Sequence, residues 1–95
     1  MRVHMAPAAV PSSIEQEKDP ARRAQLLKMH RLAVARSRAS RLRRRLRQLE
    51  TTLVRARQEK NWTTEQVNRT ERDIGELREA VIEAEHRVQR AEAGE

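Results

Sequence analysis

The sequence predicts an all-α chain: a single long helix that forms a coiled coil as a parallel dimer, preceded by a disordered N-terminal arm. Three observations predict it. Large core-forming side chains are nearly absent, since the 95 residues include one Trp and no Phe, Tyr or Cys. Helix breakers are kept to the ends: from Ala21 to Ala93 there is no proline, and the only glycine is Gly75. Apolar residues recur in one heptad phase from Leu32 to Ala91, well beyond the three or four heptads that mark a paired helix.

Composition narrows the function classes. Equal shares of hydrophobic and charged residues, 37% each, belong to long helices rather than to a compact globular core. Without cysteine there is no disulfide framework, thiol nucleophile or Cys-ligated zinc. His4, His30 and His86 lie far apart, so no cluster of histidines offers a metal site. No catalytic site, metal, cofactor or small-molecule substrate is therefore expected. No apolar run approaches the ~20 residues of a membrane span, so a membrane partner is not expected either. The composition fits an intracellular protein, in the nucleus of a eukaryote or otherwise in the cytoplasm.

The elements follow in order. Residues 1–19 read as the arm, with Pro7, Pro11 and several Ala. Within it, Ser12 and Glu15 have the spacing to cap one short turn. Asp19 is a good N-cap, and Pro20 suits the first helical position, where its missing N–H costs nothing. Residues 20–49 form a basic helix, carrying eleven Arg or Lys and no acid. Residues 50–93 form a mixed-charge coiled-coil segment, and Gly94 stands where a helix stop belongs.

The seam can be written residue by residue. With Leu46 at heptad position a, the seam runs through Leu42, Leu46, Leu49, Leu53, Lys60, Val67, Ile74, Leu77, Val81 and Val88. The β-branched residues at a, together with Lys60, favour two strands. In a parallel pair, either a homodimer or a heterodimer, Arg45–Glu50, Asp73–Arg78 and Arg87–Glu92 would attract across the g and e positions. The seam is weakest from Ala56 to Thr70. A break near Asn61, with Thr63-x-x-Gln66 capping a second helix, would instead fold the halves into an antiparallel hairpin; the unbroken phase weighs against it. Trp62, beside this stretch, reads either as a surface residue over a neighbouring turn or as a contact point for another protein.

Eleven cations on a helix that leads into a zipper make a polyanion-binding surface, with DNA or RNA the first candidate. Residues 30–38 read His-Arg-Leu-Ala-Val-Ala-Arg-Ser-Arg. This resembles the basic region of the basic-leucine-zipper (bZIP) transcription factors, whose pattern is Asn-x-x-Ala-Ala-x-x-Ser-Arg. Ala33, Ser37 and Arg38 match, Val34 is a near match, and His30 takes the place of Asn. The family's first zipper leucine would fall at Gln48, whereas the seam uses Leu49. The resemblance implies helices in the major groove, with His30, Ala33, Val34 and Ser37 facing bases. Arg38 would hold a phosphate or a central guanine, and Arg31, Arg36, Arg41, Arg43 and Arg44 the backbone, with Arg45 continuing the basic run. The function expected is a coiled-coil nucleic-acid-binding protein, a bZIP-like transcription regulator. The alternative is a non-catalytic structural or assembly protein, an adaptor subunit of a larger complex.

Overall fold

The computed structural model describes residues 10–94, and every regular element among them is helical. Three helices follow in order: α1 (Ser12–Glu15), α2 (Pro20–Glu59) and α3 (Thr64–Glu92). The all-α class expected from composition is what forms. The continuous helix expected over residues 20–93 is not: it is divided at residues 60–63, and α3 folds back antiparallel along α2. The hairpin alternative is the one realised.

Local chemistry explains each boundary. The Asp19 carboxylate accepts a hydrogen bond from the Ala21 N–H at 3.1 Å, and Pro20 opens α2 as the sequence implied. Forty residues later, Lys60 turns left-handed (φ 54°, ψ 33°) while its N–H donates to the Ala56 carbonyl at 2.9 Å. Thr63 then restarts the helix with a complete capping box. Its hydroxyl accepts from the Gln66 N–H at 3.1 Å, and the Gln66 side chain accepts from the Thr63 N–H at 2.9 Å. At the far end Gly94 adopts φ 85° just after the Ala93 C-cap, the backbone that glycine tolerates best.

The seam written from the sequence is the inward face of the hairpin. Ala39, Leu53, Ala56, Ile74, Val81 and Ala84 are buried, and all six stand at heptad position a or d. Leu42, Leu46, Leu49, Val67, Leu77 and Val88 are half-buried. Lys60 is the exception among the expected seam residues. It is exposed, because position a falls on the reversal rather than within a helix. The phase was continuous, yet the facing stripe belongs to the same chain.

Ion pairs run along one edge of this contact. Arg36 meets Glu92 at 3.8 Å, Arg43 meets Glu85 at 3.9 Å, Glu50 meets Arg78 at 2.9 Å, and Arg57 meets Glu71. All eight residues occupy position e, and the two residue numbers in every pair add to the same total. That constancy is an antiparallel register with no slip. The pairs expected between parallel chains are thereby replaced: Glu50 takes Arg78 rather than Arg45, and Glu92 takes Arg36 rather than Arg87. Each exposed pair contributes only about 0.2–1 kcal/mol, whereas fully burying one Leu, Ile or Val side chain contributes about 1.5–3 kcal/mol. The apolar seam holds the hairpin, and the pairs choose its register.

The arm is ordered where it is described. Ile14 in α1 is buried, although the Ser12 side chain does not cap that turn. Glu17 ties the arm to the start of α2, its carboxylate 3.3 Å from Arg22 and its carbonyl accepting from Arg23 at 2.9 Å. The arm expected to be disordered over 1–19 thus carries a helical turn at 12–15; residues 1–9 of it lie outside the described residues.

Two substitutions test this architecture by thermal melts. Lys60→Gly is expected to raise stability by up to about 1 kcal/mol, because glycine relieves the left-handed backbone; within a continuous helix it would lower stability by a similar amount. Nothing lies within 4 Å of the point where Gly75 would carry a Cβ, so Gly75→Ala is expected to add about 0.5–1 kcal/mol.

Candidate nucleic-acid interface

Helix α2 carries thirteen Arg or Lys against two Glu, whereas α3 carries five Arg against eight Asp or Glu. Folding sets these unequal helices side by side. Only part of the cationic charge is met: Arg36, Arg43 and Arg57 are consumed by α3, and Arg22 by Glu17. Among the described residues Arg31, Arg38, Arg41, Arg44, Arg45, Arg47 and Arg55 make no ion pair, and all seven are exposed.

Their placement follows from the heptad. Arg41 and Arg55 sit at c, Arg44 at f and Arg47 at b, the positions turned away from α3; Arg31, Arg38 and Arg45 sit at g, along one edge. Together they cover the outer side of α2 from residue 31 to 55. At 1.5 Å per residue that is about 36 Å, close to the length of one DNA turn. Such a face can neutralise successive phosphates.

The residues singled out from the sequence divide into three groups. Arg31, Arg38, Arg41, Arg44 and Arg45 lie on this open face. Arg36 and Arg43 lie on the paired edge, held by Glu92 and Glu85. Of the four residues assigned to bases, Ala33 and Ser37 are exposed, but His30 and Val34 are half-buried. Val10 of the arm lines one groove with His30, Val34 and Arg38, and the His30 Nε2 is buried without a hydrogen-bond partner. Arg47 and Arg55 also belong to the face. Their b and c positions mark them in the sequence, outside the nine residues 30–38.

No group of three His, Cys, Asp or Glu able to hold a metal ion occurs among the described residues, and no helix among them is long and apolar enough to cross a membrane. No family model, curated protein or solved structure matches the chain.

Because Arg41, Arg44 and Arg47 touch nothing that holds the hairpin, replacing all three by Gln should leave the urea midpoint nearly unchanged, within about 0.5 kcal/mol per site. Replacing Leu53 by Ala, by contrast, should cost about 2–5 kcal/mol.

Proposed function

We propose that the chain is a non-catalytic, nucleic-acid-binding helical hairpin that lays the arginine face of α2 along a phosphate backbone. The observation that carries this reading is the run of exposed arginines, Arg38, Arg41, Arg44, Arg45 and Arg47, with no acidic partner among the described residues. Charge density of that kind binds polyanions by releasing condensed counterions. Contacts to phosphate fix position and carry no sequence information. The protein would then act inside the cell, wherever DNA or RNA is its partner.

Backbone contact is favoured over bZIP-like base reading by the packing of the same segment. A bZIP basic helix crosses the major groove as a single continuous helix forked away from its partner. Here α3 runs alongside α2 as far as the Arg36–Glu92 pair, and two of the four base-facing positions are half-buried. His30 also lacks the paired donor and acceptor through which Asn reads adenine. The second reading, an assembly or adaptor protein, draws on the same polarised charge: the basic face would dock on an acidic protein surface.

The test is binding to duplex DNA and RNA of random sequence across a salt series. Tight binding at low salt, a steep loss as salt rises and no preferred site are the expected results. Arg41→Gln with Arg44→Gln and Arg47→Gln should lower the magnitude of the log–log salt slope by about one for each contact removed. Absence of binding near physiological salt would turn the assignment to the adaptor reading, and a strong site preference would restore base reading.

A further inference from the structure

The two broad faces of the hairpin are finished differently. On one, the e residues of both helices meet, and the pairs of Glu50 with Arg78 and of Arg57 with Glu71 border the groove above Leu53 and Ile74. On the other, the g residues meet: Arg31 and Arg38 of α2 share a groove with Arg87 of α3. Among the described residues no ion pair joins the two helices on that side. Position d adjoins g, and the three leucines there, Leu42, Leu49 and Leu77, are all only half-buried. At position a, Leu53, Ile74 and Val81 are buried, while Leu46, Val67 and Val88 are half-buried like the d leucines. An apolar strip is left open on the g side.

Charge along this strip has a direction. Arg38 and Arg45 on α2 and Arg87 on α3 lie toward the end where α3 finishes. Thr52 and Ala80 are neutral and lie midway; Glu59 and Asp73 lie toward the turn. We propose that this strip docks a second copy of the chain, turned end for end, so that two hairpins form an antiparallel four-helix bundle. The reversal brings Arg38 of each copy to Glu59 of the other, and Arg87 of each to Asp73 of the other. Thr52 and Ala80 then lie near the two-fold axis. A copy docked in the same direction sets Arg38 against Arg38 and Glu59 against Glu59, which repel.

Three further features fit this occupant. The leucines supply the facing apolar layer that bundle packing requires. Among the described residues the arm meets this side at its open end, where Val10 lies by His30, Val34 and Ala35. The surplus charge of α2 at Arg41, Arg44 and Arg47 faces away, so it does not oppose the contact. Arg38 and Arg45 belong to both surfaces, so the cysteine cross-links, which need no nucleic acid, test the contact separately from phosphate binding. Arg87 already holds Glu83 of its own helix at 2.8 Å and would share its charge with Asp73 of the second copy.

The chain has no cysteine, so single cysteines report the contact cleanly. Under mild oxidation Thr52→Cys, on the strip, is expected to form a covalent dimer at least about tenfold faster than Gly75→Cys, whose position b lies off the strip. In sedimentation equilibrium the parent should be a dimer. Thr52→Glu with Ala80→Glu should weaken it at least about tenfold while circular dichroism shows the helix content retained. Arg38→Glu should weaken the dimer, and adding Glu59→Arg should restore it. A parent that stays monomeric at all concentrations overturns the proposal, as does cross-linking through Gly75 at the rate of Thr52. A monomer that dimerises only after removal of residues 1–9 overturns it too, since the strip would then be covered by the chain's own N-terminal segment.

Discussion

One pair in the column of four ion pairs has its polarity reversed, and the register of the molecule depends on it. Three times α2 supplies Arg and α3 supplies Glu; at Glu50–Arg78 the roles exchange. An apolar seam alone cannot tell one heptad alignment from the next, because Leu and Val accept many neighbours. Sliding α3 by seven residues in one direction would set Arg43 against Arg78 and Glu50 against Glu71. Sliding it in the other would set Glu50 against Glu85 and Arg57 against Arg78. Both alternatives put like charges face to face, so the exchange at Glu50 and Arg78 disfavours each. Small individual energies suffice, since they need only separate states that bury similar apolar area.

Much of the fold was legible because it rests on short-range rules. Asp19 and Pro20 start a helix for reasons contained within three residues, and Gly94 stops one likewise. The inward face was legible too, since heptad position dictates which residues of a helix share a side. The identity of the facing helix was not. A stripe from Leu32 to Ala91 is equally satisfied by a second chain or by its own downstream half, and the phase carries no information about which. The decision lay in three residues. Lys60 and Thr63 are poor seam residues but good turn residues, and Thr63 with Gln66 completes a cap that an unbroken helix would leave unused. Joining the halves by so short a connection also makes their pairing independent of concentration.

The candidate site was legible in kind and less so in place. Eleven cations without an acid between residues 21 and 49 announced a polyanion surface before any geometry was known. Which of them face outward depends on where α3 lies, and that followed only from the reversal. Arg36 and Arg43 resemble their neighbours in sequence, yet each has a glutamate from residues 85–92 beside it. Arg47 and Arg55 fall outside the nine-residue resemblance, yet they extend the open face. Folding thus converts a uniform basic segment into two unlike edges, one neutralised and one free.

The turn between α2 and α3 holds the only aromatic side chain of the chain, Trp62, half-buried between Asn61 and the Thr63 cap. All indole absorbance and emission therefore originate at the single point where the backbone reverses. The centre of the arginine face, near Arg44, lies roughly 25 Å away along α2 at 1.5 Å per residue. The molecule carries its own optical label at its hinge: an event that straightens the reversal changes the emission directly, whereas a ligand settling on the far arginines leaves it close to its resting value.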